Sequence, residues 1–300
     1  MLHKSLNSLA LDLRRSVKSA ATLCLVAVSA LMVGCDPGQI VPDDLNPPPI
    51  ETEALEVPDY VELVTRYNQN ATALERVWAR TKVEMRWRDG KNRKRRESGD
   101  GRLIFERPLK TAWTVEVLGD VKMWAGSDVN GFWMFDLLDE RRAYYGRYGQ
   151  PLAQPLPLPV QPEAVPFLLG LMPIDEARRP AAPEVEVFNG YFVIEPPGLN
   201  LRLMLDPATA RPVRIDLTDP AGGSVLTCVL TGEIAVTNDA ELDVYLPEIA
   251  ELYPQGDESR LTVTFKSATS NEEKIKRKWF DFDGLIKALK PKEVIDLNQP

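Results

Sequence analysis

The sequence predicts a mainly β fold of the α+β kind: an antiparallel sheet of about eleven strands, buried on one face, preceded by a single amphipathic helix. Three observations carry that expectation. Apolar residues recur at spacings of three and four over residues 59–80, then at a period of two from residue 81 onward. Tight-turn dipeptides separate the alternating runs. The regular alternation of helices with strands that a parallel sheet requires is missing.

The helix is read from DYVELVTRYNQNATALERVWAR, in which Val64, Tyr67, Ala71, Leu74 and Trp78 fall on one stripe and Asp59 after Pro58 is placed to cap the N-terminus. The strands follow. Val83, Met85 and Trp87 alternate with Glu84, Arg86 and Arg88, and Trp113, Val115 and Val117 alternate with Thr114 and Glu116. The same pattern returns at Leu201–Leu205, Val213–Leu217, Leu226–Leu230 and Leu261–Phe265. Strands with one apolar and one polar face build a sheet with one side covered. Gly119-Asp120, Asn130-Gly131 and Asn189-Gly190 read as hairpin turns, and Asp206-Pro207 opens another. One segment breaks the rhythm. Residues 147–163 carry five prolines, and AVPFLLGLM, with Phe167 and Leu168 at its centre, ends at Pro173. It reads either as a short helix or lid over an apolar surface or as a plain core plug.

Of the 300 residues, 44% are hydrophobic and 27% charged, the composition of a globular chain with a sizeable core. The net charge of −8 divides unevenly: Lys4, Arg14, Arg15 and Lys18 against Asp12 give residues 1–34 a charge of +3, which leaves −11 for the rest. An acidic body argues against general nucleic-acid binding, which needs a basic face.

Residues 1–19 are polar and basic, and residues 20–34, AATLCLVAVSALMVG, form an uncharged apolar run too short to span a bilayer comfortably. Together they read as an export signal. The run ends Leu31-Met32-Val33-Gly34-Cys35, which resembles the bacterial lipobox. The resemblance implies cleavage before Cys35, lipid on its thiol, and membrane anchoring in the cell envelope facing the periplasm. Met32 departs from the leucine commonest there. Several acyl chains, each methylene contributing about 0.8 kcal/mol, hold a protein where one barely does. Asp36 resembles an inner-membrane retention signal of some enteric bacteria, and the choice of membrane stays open. Residues 36–58 hold six prolines and read as a semi-rigid tether.

The order of elements resembles the half-barrel lipoprotein carrier superfamily, which includes LolA, LolB and the mycobacterial lipid-binding lipoproteins. The helix is followed by the strand TKVEMRWRDG, by GDGRLIFERPLKTAWTVEV with its glycine, apolar triplet and proline, and by SDVNGFWMFDLLDERRAYYG with Gly131 in the turn. After the Pro-rich link come more hairpins, and Asn271, Phe280 and Phe282 resemble a closing strand pair. The likeness covers roughly residues 59–285. It implies a strongly curved, half-open β-barrel wrapped around the N-terminal helix and a short lid helix, enclosing an apolar cavity for an acyl chain or a lipidated protein. The implied division is signal peptide 1–34, lipidated cysteine and tether 35–58, half-barrel 59–290 and C-terminal tail 291–300. The cavity face would present Met85, Trp87, Phe105, Trp113, Val115, Met123, Phe132 or Trp133, with Phe167 and Leu168 from the lid. Taken singly, each reads more readily as plain packing for the helix and lid, and the cavity reading rests on the set and on the family. LolB's apolar loop between its third and fourth strands is replaced here by the tight Leu118-Gly119-Asp120-Val121.

Catalytic chemistry is sparse. The single histidine is His3, inside the export signal, which removes serine–histidine and histidine–metal chemistry from the exported body. Cys24 and Cys35 belong to the leader and cleavage site, so Cys228 is the body's single thiol and reads as a small buried apolar residue. Asp281-Phe282-Asp283-Gly284 lacks most calcium-loop ligands. Asp136, Asp139 and Glu140 cluster near an expected turn and read as solvated. Lys91, Arg93, Lys94, Arg95 and Arg96 crowd a hairpin tip, where they could meet anionic head groups or simply face water. No enzyme activity, cofactor or metal is expected, and a monomer is. Two functions remain: a lipid-anchored carrier or acceptor of a lipid or lipoprotein acyl chain, and a structural or interaction scaffold whose barrel is filled by its own side chains.

Overall fold

The computed structural model describes residues 45–50, 55–88, 92–138, 140–154, 160–180, 184–237, 244–256 and 258–299. The export signal and Cys35 lie outside them, as do Lys91 and Asp139.

Helix α1, Tyr60–Thr72, starts at Asp59, whose side chain accepts from Val61 N at 2.8 Å and so satisfies one of the unpaired first-turn donors. Its stripe of Leu63, Val64, Tyr67 and Ala71 is fully buried. The helix stops before Trp78, which sits in the first strand and faces the opposite side of the sheet, against Phe280 and Ile275.

Fourteen strands form one sheet among the described residues, against the eleven expected. They are β1 Arg76–Arg88, β2 Lys94–Glu106, β3 Lys110–Val117, β4 Asp120–Ser127, β5 Gly131–Asp136, β6 Arg142–Arg147, β7 Glu186–Phe188, β8 Tyr191–Ile194, β9 Leu201–Leu205, β10 Pro212–Thr218, β11 Ser224–Thr237, β12 Tyr245–Pro254, β13 Arg260–Thr269 and β14 Glu293–Asp296. Between β6 and β7 a 3₁₀ turn, Pro162–Ala164, leads into the short helix α2, Val165–Leu168. Helix α3, Phe282–Leu289, precedes β14.

The spatial order is β14-β6-β5-β4-β3-β2-β1-β13-β12-β11-β10-β9-β8-β7. Two antiparallel meanders therefore meet where β1 pairs with β13, and the outer edges, β14 and β7, do not join. The sheet stays open. Its concave side must curve, because one core cluster takes side chains from β1 and β2 and from β8 to β13 and packs them all around α1 and α2. The expected hairpin at Asn189-Gly190 is present, with φ of 53° and 84°, the left-handed pair that a type I′ turn demands.

Two expectations about the C-terminal region are corrected. Residues 271–285 do not form a strand pair. Phe282, Leu285, Ile286 and Leu289 have helical spacing, Asp281 accepts from Gly284 N at 3.0 Å, and the resulting α3 packs on the convex face against Trp124, Trp133 and Phe135. Residues 291–299 of the expected C-terminal tail are joined to the sheet. Leu297 is fully buried and its N–H donates to Tyr145 O at 2.8 Å, so β14 is held parallel to β6.

Residues 45–50, inside the expected tether, lie against the convex face of β8–β10. Tyr191 OH donates to Pro48 O at 3.1 Å, and Ile50 N donates to Asn189 O at 2.9 Å. Arg214 donates to Asn46 Oδ1 at 2.6 Å and makes three hydrogen bonds to Asp216, which also accepts from Thr227 Oγ1 at 2.6 Å. Arg214 and Asp216 are both buried. Removing one member of such a pair leaves an uncompensated buried charge. Asp216→Ala is expected to cost about 3–5 kcal/mol in urea unfolding, whereas the double change Arg214→Met with Asp216→Leu costs clearly less. Equal losses in the two proteins would show that the ion pair is not what matters.

Candidate functional site

The concave face is not completely filled. A cavity of about 330 Å³ lies between the sheet and the segment running from Val160 through α2 to Leu169. It straddles the β1–β13 seam: Val83 and Met85 border it from one meander, and Leu261, Val263 and Phe265 from the other. Val160, Val165, Leu168 and Leu169 cover it from inside. Its lining is almost entirely aliphatic, aromatic or thioether, and the charged groups, Glu97, Lys122 and Asp136, are few. Met85, Val117 and Leu138 also line it yet are 40%, 37% and 55% exposed, which marks where the cavity meets solvent. Beyond Val117, at the tip of the β3–β4 hairpin, Leu118 stands wholly in solvent with φ 54°.

The structure brings together five of the expected cavity residues: Met85, Trp113, Val115, Met123 and Leu168. Phe105 and Phe167 are buried in the main core and do not border the cavity. Trp87 is partly exposed beyond Met85, paired with Arg95 near the β1–β2 tip. Of the alternatives Phe132 and Trp133, the pleat settles Trp133 on the convex face, its ring 5.8 Å from that of Phe282. Phe132 packs instead with Met134, Leu297 and Tyr148 beside the cavity. The expectation missed Leu103, Cys228, Ala250, Leu252 and the β13 residues. Their two-residue alternation was visible, but nothing local said that β13 would close against β1. Cys228 is fully buried, burial pushes its thiol pKa up, and its Sγ lies 3.5 Å from Leu168 O.

The inner segment is held through its backbone. Arg107 donates to Leu171 O at 2.8 Å, to Leu74 O at 3.1 Å and to Ala71 O, so one guanidinium ties that segment to the end of α1. Burial depresses the Arg107 pKa. Tyr67 OH donates to Met172 O at 2.9 Å, and Asn68 exchanges two hydrogen bonds with Ile174. One group is out of keeping with this apolar setting. Glu163, on the 3₁₀ turn, is buried, and among the described residues no hydrogen-bond partner satisfies either carboxylate oxygen. Burial pushes its carboxyl up to about 8, with the Tyr148 hydroxyl beside it acting the other way.

Three solved structures share this architecture. A LolA-superfamily protein from Nitrosomonas europaea is 10% identical, with a TM-score of 0.52 over 76% of this chain and 99% of that one. A DUF1329-family protein from Desulfovibrio piger is 9% identical, with a TM-score of 0.50 over 75% and 97%. A chain from Vibrio parahaemolyticus described as an outer membrane lipoprotein-sorting protein domain is 12% identical, with a TM-score of 0.50 over 77% and 97%. The chain has the LolA-superfamily fold. No protein-family model and no curated protein matches the sequence. The LolA-like fold therefore rests on the path of the backbone, and the character of the cavity on this chain's own side chains. Among the described residues no group of three or more potential metal ligands comes together, and Asp281 is engaged as the α3 cap.

Because its pKa is raised in the fold, Glu163 keeps a proton that the unfolded chain has already lost between the usual glutamate range and about pH 8. The unfolded state binds fewer protons there, so this group lowers stability as pH rises through that window and adds nothing further above it. Urea unfolding of Glu163→Gln is expected to gain on the parent steadily from pH 5 to pH 8. A constant difference across that range would mean that Glu163 is ionised in the fold or already partnered.

Proposed function

We propose that the protein is a lipid-anchored carrier or acceptor in the bacterial cell envelope that holds a lipid, or the acyl chain of a lipoprotein, in the cavity behind Met85 and Val263. The observation that carries this reading is the cavity itself: an apolar space of about 330 Å³ with an opening to solvent, of the size range that ligand sites occupy. A scaffold filled by its own side chains would leave no such space. Each square ångström of acyl chain removed from water there gains about 25 cal/mol, with Met85, Met123 and Trp113 supplying adaptable contacts. The lipoprotein-sorting description of one structural neighbour supports the same assignment. A body without histidine supports a binding rather than a catalytic role.

Extraction of the protein purified from bacterial membranes is expected to release co-purified lipid in near-stoichiometric amount. Val263→Trp, which fills the cavity from β13, is expected to lose at least tenfold in fatty-acid affinity while keeping the parent's circular dichroism. A lipid-free preparation that takes up no added fluorescent fatty acid would sink the carrier reading. Anchoring is tested separately by growth on an alkyne fatty acid: the parent should take up label and sediment with membranes, and Cys35→Ser should do neither. Label retained by Cys35→Ser would place the lipid elsewhere.

A further inference from the structure

A second cavity, of about 310 Å³, lies next to the first on the concave face. Three stretches of chain place the two in the same order. On β11, Cys228 borders the first and Leu230 the second. Those positions are one pleat repeat apart, about 7 Å along the strand. On β12, Ala250 and Leu252 border the first and Leu246 the second. On the inner segment, Val165 and Leu168 border the first, and Gly170 and Leu171 the second. Among the described residues Leu169 alone borders both.

The backbone that presents Leu169 is fixed without help from its side chain. Leu169 N donates to Val165 O at 3.1 Å, Gly170 N to Phe167 O at 2.9 Å and Leu171 N to Pro166 O at 2.8 Å. Gly170 sits at φ 68°, and a Cβ there would come within 2.5 Å of Pro212 Cγ, so the turn is set by glycine packed on β10. Leu169 thus stands where the two cavities adjoin, on a hydrogen-bonded turn. Beyond it the second cavity is apolar near Leu171, Leu230 and Leu246 and becomes polar at Asn70, Asp206, Arg211 and Glu233.

We propose that Leu169 is the partition that sets the length of acyl chain the protein accepts, and that the apolar part of the second cavity is an extension the partition keeps closed. The proposal rests on the carrier reading and deepens it. An apolar cavity of about 150 Å³ holds one six-carbon ring, so the first cavity has room for a chain of about a dozen carbons. Each further buried methylene is worth about fourfold in affinity as long as it stays out of water. Affinity should therefore climb with chain length, peak near a dozen carbons and level off or fall once Leu169 is reached.

The test measures displacement of a dansyl fatty acid by straight-chain acids from octanoic to icosanoic, using the full chain carrying Cys35→Ser. The parent is expected to peak near dodecanoic acid. Leu169→Ala should move the peak about four carbons longer and raise affinity for hexadecanoic acid at least tenfold. Leu169→Phe, which opens no hole, should move the peak shorter. Adding Leu230→Phe to Leu169→Ala should refill the second cavity and restore the parent's profile. A peak that neither Leu169 variant moves overturns the partition while leaving the carrier reading intact. Failure of the parent to bind any acid overturns both.

Discussion

The pairing of β1 with β13 is the constraint on which the rest of the structure depends. It runs from Trp78 opposite Thr269 to Arg86 opposite Arg260 and joins residues nearly two hundred positions apart. Without it the chain would be two separate meanders, β1–β6 with β14 and β7–β13, each with an apolar face and an open edge. With it the two faces become one concave wall, and the cavity exists only across that seam, where Val83 and Val263 stand as direct cross-strand partners. Non-local pairings of this kind bear the loop-closure cost before they return contact energy. Helix α1, formed locally and buried on Leu63, Val64, Tyr67 and Ala71, supplies the apolar surface on which both meanders can collect.

A curved wall needs places where the backbone can come close. β2 has two of them. A Cβ on Gly99 would lie 2.6 Å from Glu116 O, and one on Gly101 2.2 Å from Thr114 O, so β2 can approach β3 this tightly only with glycine at both sites. Gly99 itself borders the cavity. Across the seam, the small side chains of Cys228, Ala250 and Val263 line the cavity and leave space in it. Close backbone approach at glycine and small lining residues are two features that single-residue hydrophobicity does not register.

That distinction explains what the sequence disclosed. Period is local, so α1, the alternating strands and the left-handed turn at Asn189-Gly190 were legible. So were Met85, Trp113, Val115 and Met123, which lie on neighbouring strands joined by short turns. The seam was not legible, and with it went half the cavity: Leu261, Val263 and Phe265 have the right alternation but acquire their role from β1. Face assignment stays open in the sequence where two apolar residues adjoin. In Phe132-Trp133 the pleat must send one ring each way, and α3 on the convex side took Trp133. The closing strand pair that the family resemblance implies at Asn271, Phe280 and Phe282 is absent because Phe282, Leu285, Ile286 and Leu289 stand at helical spacing and form α3.

The inner segment divides its labour between backbone and side chains. Its carbonyls are held by Arg107, Tyr67 and Asn68, polar groups that do not border the cavity. Its apolar side chains, Val165, Leu168 and Leu169, face the cavity, where a ligand would add contacts to them and break none of these bonds. Hydrogen bonds to buried carbonyls are costly to break and indifferent to a neighbouring acyl chain, whereas apolar contact is non-directional and scales with area. A segment built this way can accept chains of different shape without unravelling. Within it, the uncompensated carboxyl of Glu163 is the weak point, since any move that hydrates it converts a neutral buried group into a solvated charge.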